Sequence, residues 1–145
     1  MAQTKTMRLD IVSAEAEIFS ADVEAAFVTA ELGELGIYPG HAQLLSPLKT
    51  GNVSALLPDK SEEIFFIQGG FLEVQPFVVT ILADTVLRAR DIDEQAALEA
   101  KARAEKLLAE KISEIDFGRA ASELAAAVAQ IRAARQLKKR AGGSR

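Results

Sequence analysis

The apolar and polar positions of this chain follow one rhythm up to about Leu87 and a different one after Arg90. In the first stretch the period is two. Met7, Leu9 and Ile11 alternate with Arg8 and Asp10, while Val23, Ala25 and Phe27 alternate with Glu24 and, less cleanly, Ala26 and Val28. That is the pattern of strands with one buried face. Residues 51–57 (GNVSALL) predict another strand, closed by Pro58, Asp59 and Lys60. Proline presets φ there, and aspartate bonds its own backbone. Residues 64–67 (IFFI) are a continuous apolar run, as in a strand buried on both faces. Gln68, Gly69 and Gly70 predict a turn, after which Leu72 and Val74 alternate with Glu73 and Gln75 up to Pro76. Residues 77–83 (FVVTILA) form the most β-prone run, stopped by Asp84. Short strands at this spacing, with no long helix between them, predict an antiparallel sandwich or barrel.

Past Arg90 the period lengthens to that of a helix. Asp91 with Glu94 three residues on makes an N-terminal capping pattern. Ile92, Ala96, Ala100, Ala104, Leu107, Leu108 and Ile112 share one face, and Glu99 with Arg103 is an i,i+4 pair in the favoured order. A second helix is expected from Asp116 as its cap, with Phe117, Ala121, Leu124, Val128 and Ile131 along its apolar side. The link Ser113, Glu114 and Ile115 holds neither glycine nor proline, so one long helix also fits. Two helices would each be roughly 30 Å long at 1.5 Å per residue. Their stripes are mostly alanine, and a buried methyl contributes roughly 0.8 kcal/mol against 1.5–3 for a leucine. Such a hairpin keeps its helices yet can release its neighbour, the composition of an element with more than one docking position. A small, permanently docked hairpin is the other reading.

Between the early strands lies residues 33–48, GELGIYPGHAQLLSPL, with three glycines, two prolines, the sole tyrosine and the sole histidine. Glycine permits positive φ and proline forbids a ladder bond, so this reads as a shaped loop anchored by Leu35, Ile37, Leu44 and Leu45. A rigid loop carrying Glu34 and His41 is a candidate for docking onto another molecule.

The 145 residues suit one domain, or a small domain with an appendage. No apolar run nears the roughly 18 residues needed to cross a bilayer, and the start MAQTKTMRL lacks the apolar core of a signal peptide. Absence of cysteine removes disulfides, thiolate nucleophiles and sulfur metal sites, and suits a reducing compartment. The net charge of −4 hides an asymmetry: residues 1–90 carry 6 basic and 12 acidic side chains, residues 91–145 carry 11 and 9. From Arg119 onward there are 7 basic residues and one acid, Glu123. Halves so different usually meet different partners.

Catalytic chemistry finds little footing. A lone loop histidine is more often a hydrogen-bonded structural group than a general base. No serine sits in a G-x-S-x-G elbow, and the glycines match neither the dinucleotide fingerprint nor the P-loop. No catalytic residue, metal ligand or cofactor site is read. Arg132, Arg135, Lys138, Lys139 and Arg140 could face nucleic acid, an anionic membrane or an acidic protein surface. No aromatic interleaves them, which argues against base stacking. A solvated helix end whose cations favour the macrodipole explains them as well. Asp116 caps a helix without any ligand, though Arg119 beside it could reach a phosphate.

Residues 33–45 (GELGIYPGHAQLL) resemble the loop signature of the ε subunit of bacterial-type F-type ATP synthases. LDIVSAEAEIFS near the start, GGFLEVQP at 69–76, VTILADT at 79–85 and ELAAAVAQIRAARQLKK at 123–139 follow in that family's order and spacing. The resemblance implies a ten-strand antiparallel β-sandwich over residues 1–88, a helix-turn-helix hairpin over 89–140 and a frayed tail over 141–145. It implies a non-catalytic coupling subunit on the cytoplasmic face of the bacterial plasma membrane, touching the membrane only through its complex and binding no nucleic acid. The sandwich would bind the γ subunit and sit on the ring of c subunits, with Glu34 and His41 facing the ring. The hairpin would fold onto the sandwich or extend into the α/β head and block ATP hydrolysis, with Arg132, Arg135, Lys138 and Lys139 against an acidic segment of β. Some relatives bind ATP through an Ile/Leu-Asp-x-x-Arg-Ala motif. Here Ile92 and Asp93 match it but Ala96 stands where the arginine should be. An ATP-sensing hairpin using Ile92, Asp93, Arg119 and Arg132 is therefore the alternative, with a phosphate partner missing.

Overall fold

A computed structural model of the chain describes residues 5–110 and 113–142. The chain divides into two compact units, Met1–Arg88 and Ala89–Arg145. The first is built of β1 (Met7–Ser13), β2 (Glu17–Val23), β3 (Ala25–Ala30), β4 (Gly33–Ile37), β5 (Leu44–Leu56), β6 (Glu62–Val74) and β7 (Val78–Arg88). They form one hydrogen-bonded ladder in the order β2-β1-β7-β6-β5-β3-β4. Every strand sends side chains into a single core, from Met7, Leu9 and Ile11 of β1 to Phe65, Ile67, Leu72 and Val74 of β6 and Val79, Ile81 and Ala83 of β7. The ladder thus wraps its own interior as a sandwich.

Seven strands do what the resemblance assigns to ten, and the three long ones explain the difference. Along β6 the core-facing residues are Phe65 and Ile67, then Leu72 and Val74, so the inward side switches parity near Gly69 and Gly70. Since side chains alternate with period two, such a switch needs a local break in the pleat. Gly69 and Gly70 supply it at φ +71° and +118°, conformations that side chains with a Cβ rarely adopt. They are the interior of a strand rather than a turn. Strand β5 switches likewise between Leu48 and Val53, and β7 between Ala83 and the partly buried Val86. Asp84 therefore does not stop β7, which runs on to Arg88. The antiparallel expectation also needs one correction, because β1 pairs with β7 in parallel, Leu9 beside Val79 and Ile11 beside Ile81.

Two other boundaries move. The run 23–28 is split at Glu24 between β2 and β3. Glu24 is the one charged side chain buried among the described residues, and Lys60 donates to both its carboxylate oxygens at 2.6 and 2.9 Å. Lys60 reaches it from the turn after Pro58 at φ +71°. Residues 33–48 are mostly ladder: β4 pairs with β3, and β5 begins at Leu44, which leaves only residues 38–43 as loop.

The second unit opens with a 3-10 turn, Ala89–Asp91, followed by α1 (Glu94–Ala109) and α2 (Glu114–Gly142). The cap of α1 is Asp93 rather than Asp91, its carboxylate accepting from the Ala96 amide at 3.1 Å. Ser113 rather than Asp116 caps α2: its hydroxyl accepts from the Asp116 amide at 3.3 Å and donates to the Asp116 carboxylate at 2.9 Å. Asp116, at the third helical position, thus holds the capping hydroxyl through its carboxylate instead of being the cap itself. Glu110 leaves the helix in an extended conformation, so two helices form, about 24 and 44 Å long at 1.5 Å per residue. Ile112, expected on the first helix's apolar face, and the end of the 141–145 tail lie outside the described residues. Among those described, the buried side chains of this unit are Ala89, Ala97, Ala104, Ala120, Ala127, Ala129, Ile131, Ala133 and Ala134. Ala96 is exposed, and of the residues expected along α2 only Ile131 is fully buried, while Phe117 is 52% exposed.

Candidate functional site

The cations of α2 fall at helical spacing, and α1 supplies their partner. Glu94 stands in the first turn of α1 directly after the Asp93 cap. One of its carboxylate oxygens accepts from Arg135 Nε at 3.1 Å and the other from Lys138 Nζ at 2.6 Å. Hydrogen bonds from Lys138, then from Arg135, hold this carboxyl below its usual range. Arg132, Arg135 and Lys139 of α2 line a groove of about 490 Å³ with Lys101 of α1, floored by Val128 and Ile131. Four cations over an apolar floor can receive a polyanion or an acidic peptide segment.

The nucleotide candidates are only partly gathered. Asp93 is occupied as a cap, Ile92 is half-buried beside it, and Ala96 brings no charge. Arg132 lines the groove, but Arg119 is 13 residues earlier on α2, about 20 Å along the axis at 1.5 Å per residue, and is exposed.

In the sandwich, Glu34 is exposed on β4 opposite Thr29, near the β3–β4 hairpin, and His41 lies in the loop past the other end of that strand. They are not adjacent: Glu34 to Ile37 alone spans about 10 Å of strand. The loop is shaped rather than slack. The Gly40 amide donates to the Pro76 carbonyl at 2.6 Å and the His41 amide to the Tyr38 carbonyl at 3.1 Å. His41 Nδ1 is 2.7 Å from the Ala42 carbonyl oxygen, which can only accept, so this nitrogen carries the proton. An open cleft of about 410 Å³ lined by Gln43, Leu44, Leu45, Glu73, Val74 and Gln75 begins beside the loop.

The feature that strand-by-strand reading missed is the outer face of β5, β6 and β7. Pro47 is opposite Phe71, and Phe71 opposite Leu82, so the three form a row across the sheet on the side away from the core. Leu45 and Val78 stand on the same side two strand positions or more away. Phe71 is 53% and Leu82 52% exposed. A solvated sheet face is ordinarily polar at these positions, and a contiguous exposed apolar surface marks a contact site. The signal was present as large apolar residues on both parities of 71–82, and only pairing joins them into a row.

Among the described residues no group of three or more metal-ligating side chains gathers, and no helix is long and apolar enough to cross a membrane. The chain matches two family models in succession: the ATP synthase delta/epsilon chain β-sandwich domain over residues 6–89 and the long α-helix domain of the same family over 90–135. It is 52% identical over 137 residues to the ATP synthase epsilon chain of Nitrosococcus oceani, covering 94% of this chain and 98% of that one. To the ATP synthase epsilon chain of Legionella pneumophila it is 56% identical over 135 residues, covering 93% and 96%. Its fold is similar to a chain of the Euglena gracilis mitochondrial ATP synthase OSCP/F1/c-ring structure, with TM-score 0.82, 20% identity and coverage of 88% and 81%. It is also similar to a chain of the Tetrahymena thermophila central stalk and c-ring structure, with TM-score 0.62, 12% identity and coverage of 92% and 99%. A sandwich followed by an alanine-packed hairpin, matched by models of both parts and by relatives more than half identical over nearly the whole chain, places this protein in the ATP synthase delta/epsilon chain family.

Proposed function

We propose that this chain is the non-catalytic epsilon subunit of a bacterial F-type ATP synthase central stalk, on the cytoplasmic face of the plasma membrane. Its sandwich binds γ and rests on the c-ring, and its hairpin extends into the α/β head to restrain ATP hydrolysis. The observation that carries this reading is the contrast between the two packings. The sandwich interior holds Phe65, Ile67, Leu72 and Ile81, whereas eight of the nine buried side chains described in the hairpin are alanine. Large buried side chains stabilise by roughly 1.5–3 kcal/mol each and a methyl by roughly 0.8, so the first unit is stiff enough to pass torque and the second is light enough to change position. Pro47, Phe71 and Leu82 suit a lasting contact with γ. Glu34 and the His41 loop are the candidates to meet polar loops of the ring, and Arg132, Arg135, Lys138 and Lys139 the candidates for the acidic surface of β.

ATPase rates and co-purification of complexes reconstituted with three forms test this: the full chain, residues 1–88, and the triple variant Arg132→Gln, Arg135→Gln, Lys138→Gln. Residues 1–88 should still assemble with γ and lose inhibition, and the triple variant should assemble and inhibit less. Loss of γ binding by residues 1–88, or full inhibition by the triple variant, defeats the division of labour. A second reading, ATP sensing, draws on the groove of Lys101, Arg132, Arg135 and Lys139. Submillimolar binding of Mg-free ATP to the isolated chain by calorimetry would promote it.

A further inference from the structure

The cations assigned to the acidic partner are already answered within the chain. Glu94 and its two partners are 41 and 44 residues apart in sequence, so only the closed hairpin brings them together. Both carboxylate oxygens are in use, one per cation, which is the arrangement an aspartate or glutamate of a partner would have to reproduce. Arg135 and Lys138 cannot meet both carboxylates in full at once. The Asp93 cap fixes the turn that presents Glu94, and the side chains buried in α1 are Ala97 and Ala104. Beside such small contacts an ion-pair clasp weighs noticeably in whether the helices stay together.

We propose that Glu94 is an internal stand-in for the acidic partner surface, binding Arg135 and Lys138 while the hairpin is closed and withholding them from the partner until it opens. This rests on the reading of α2 as the inhibitory element, and its test separates the two. The chain has no cysteine, so donor and acceptor dyes can be placed at Ala102→Cys and Ala125→Cys, both exposed positions on facing helices. In the isolated full chain at low salt, Glu94→Gln should raise the ratio of open to closed hairpin roughly three- to tenfold, the range of two partly exposed ion pairs. Arg135→Gln with Lys138→Gln should do the same, and combining all three should add little further, because one clasp is removed either way. In the reconstituted complex, Glu94→Gln should inhibit hydrolysis more strongly than the parent, its cations being released.

An unchanged open fraction in the isolated Glu94→Gln chain, with circular dichroism confirming that the helices persist, overturns the clasp whatever the complex does. Full additivity of the two sets overturns it as well, since Glu94 would then act through the helix terminus alone. A raised open fraction with unchanged hydrolysis upholds the clasp and instead overturns the inhibitory role of α2.

Discussion

Replacing Gly70 by alanine should nearly unfold the sandwich, and the reason lies in a single close approach. Gly70 sits inside β6 at φ +118°, where holding a residue with a Cβ costs on the order of 1–3 kcal/mol. The added β carbon would lie 1.9 Å from the carbonyl oxygen of Leu82 and 2.8 Å from Cα of Ala83. Both are backbone atoms of β7, so no side chain can swing away to relieve the overlap. The strand itself must move, and Gly70 is paired with Ala83. Opening the ladder there removes about two hydrogen bonds at roughly 0.5–1.5 kcal/mol each. The total, about 2–6 kcal/mol, is a large part of the stability of a unit of this size. Gly118 is the contrasting case. It is exposed within α2, and a β carbon there meets nothing within 4 Å, so Gly118→Ala should stabilise the hairpin by about 0.5–1 kcal/mol through helix propensity. Urea unfolding separates the two units by signal: the sole tyrosine, Tyr38, reports the sandwich and ellipticity at 222 nm the helices. With a urea slope of roughly 1.5 kcal/mol per M, the Gly70→Ala sandwich midpoint should fall by about 1–4 M. A midpoint within error of the parent would refute the argument from close approach.

Phe71→Thr combined with Leu82→Thr should lower the urea midpoint only slightly, because both side chains are about half exposed and threonine suits a strand, while weakening co-purification with γ at least tenfold; retained binding removes the outer apolar row from the interface. The Glu94 clasp should also depend on pH in a fixed direction. Its carboxyl is depressed below its ordinary value of 4.5 when the hairpin is closed, so its contribution is complete above that value and is lost as pH falls through the lowered one. Dye separation in the parent should therefore widen on acidification more than in Glu94→Gln, and equal widening in both would assign the effect to other carboxylates.

What residue order determined by itself was whatever depends on near neighbours. The change of period after Arg90, the turn at Pro58 and the reversal of charge toward the C-terminus all arise within one or two helical turns or a few strand residues, and the folded chain keeps each of them. The family signature at 33–45 belongs here too, since it is read as letters. Alanine remains the chief packing residue of the hairpin, but the alanines buried in its helices are Ala97, Ala104, Ala120, Ala127, Ala129, Ala133 and Ala134 rather than the expected Ala96, Ala100 and Ala121. Tertiary structure decided what local chemistry leaves degenerate. Asp91 and Asp93 are equally able caps, and the end of the Ala89–Asp91 turn selects the second. Gly69 and Gly70 spell a turn in isolation, yet with β7 laid alongside they become the break that lets one strand face the core twice. Pro47, Phe71 and Leu82 are far apart in sequence and become one surface only through pairing. Glu94 likewise has no visible partner until α2 returns past it. Contacts between distant residues depend on which strands and helices come to lie side by side, and that is settled by burial of the whole core rather than by any one stretch of it.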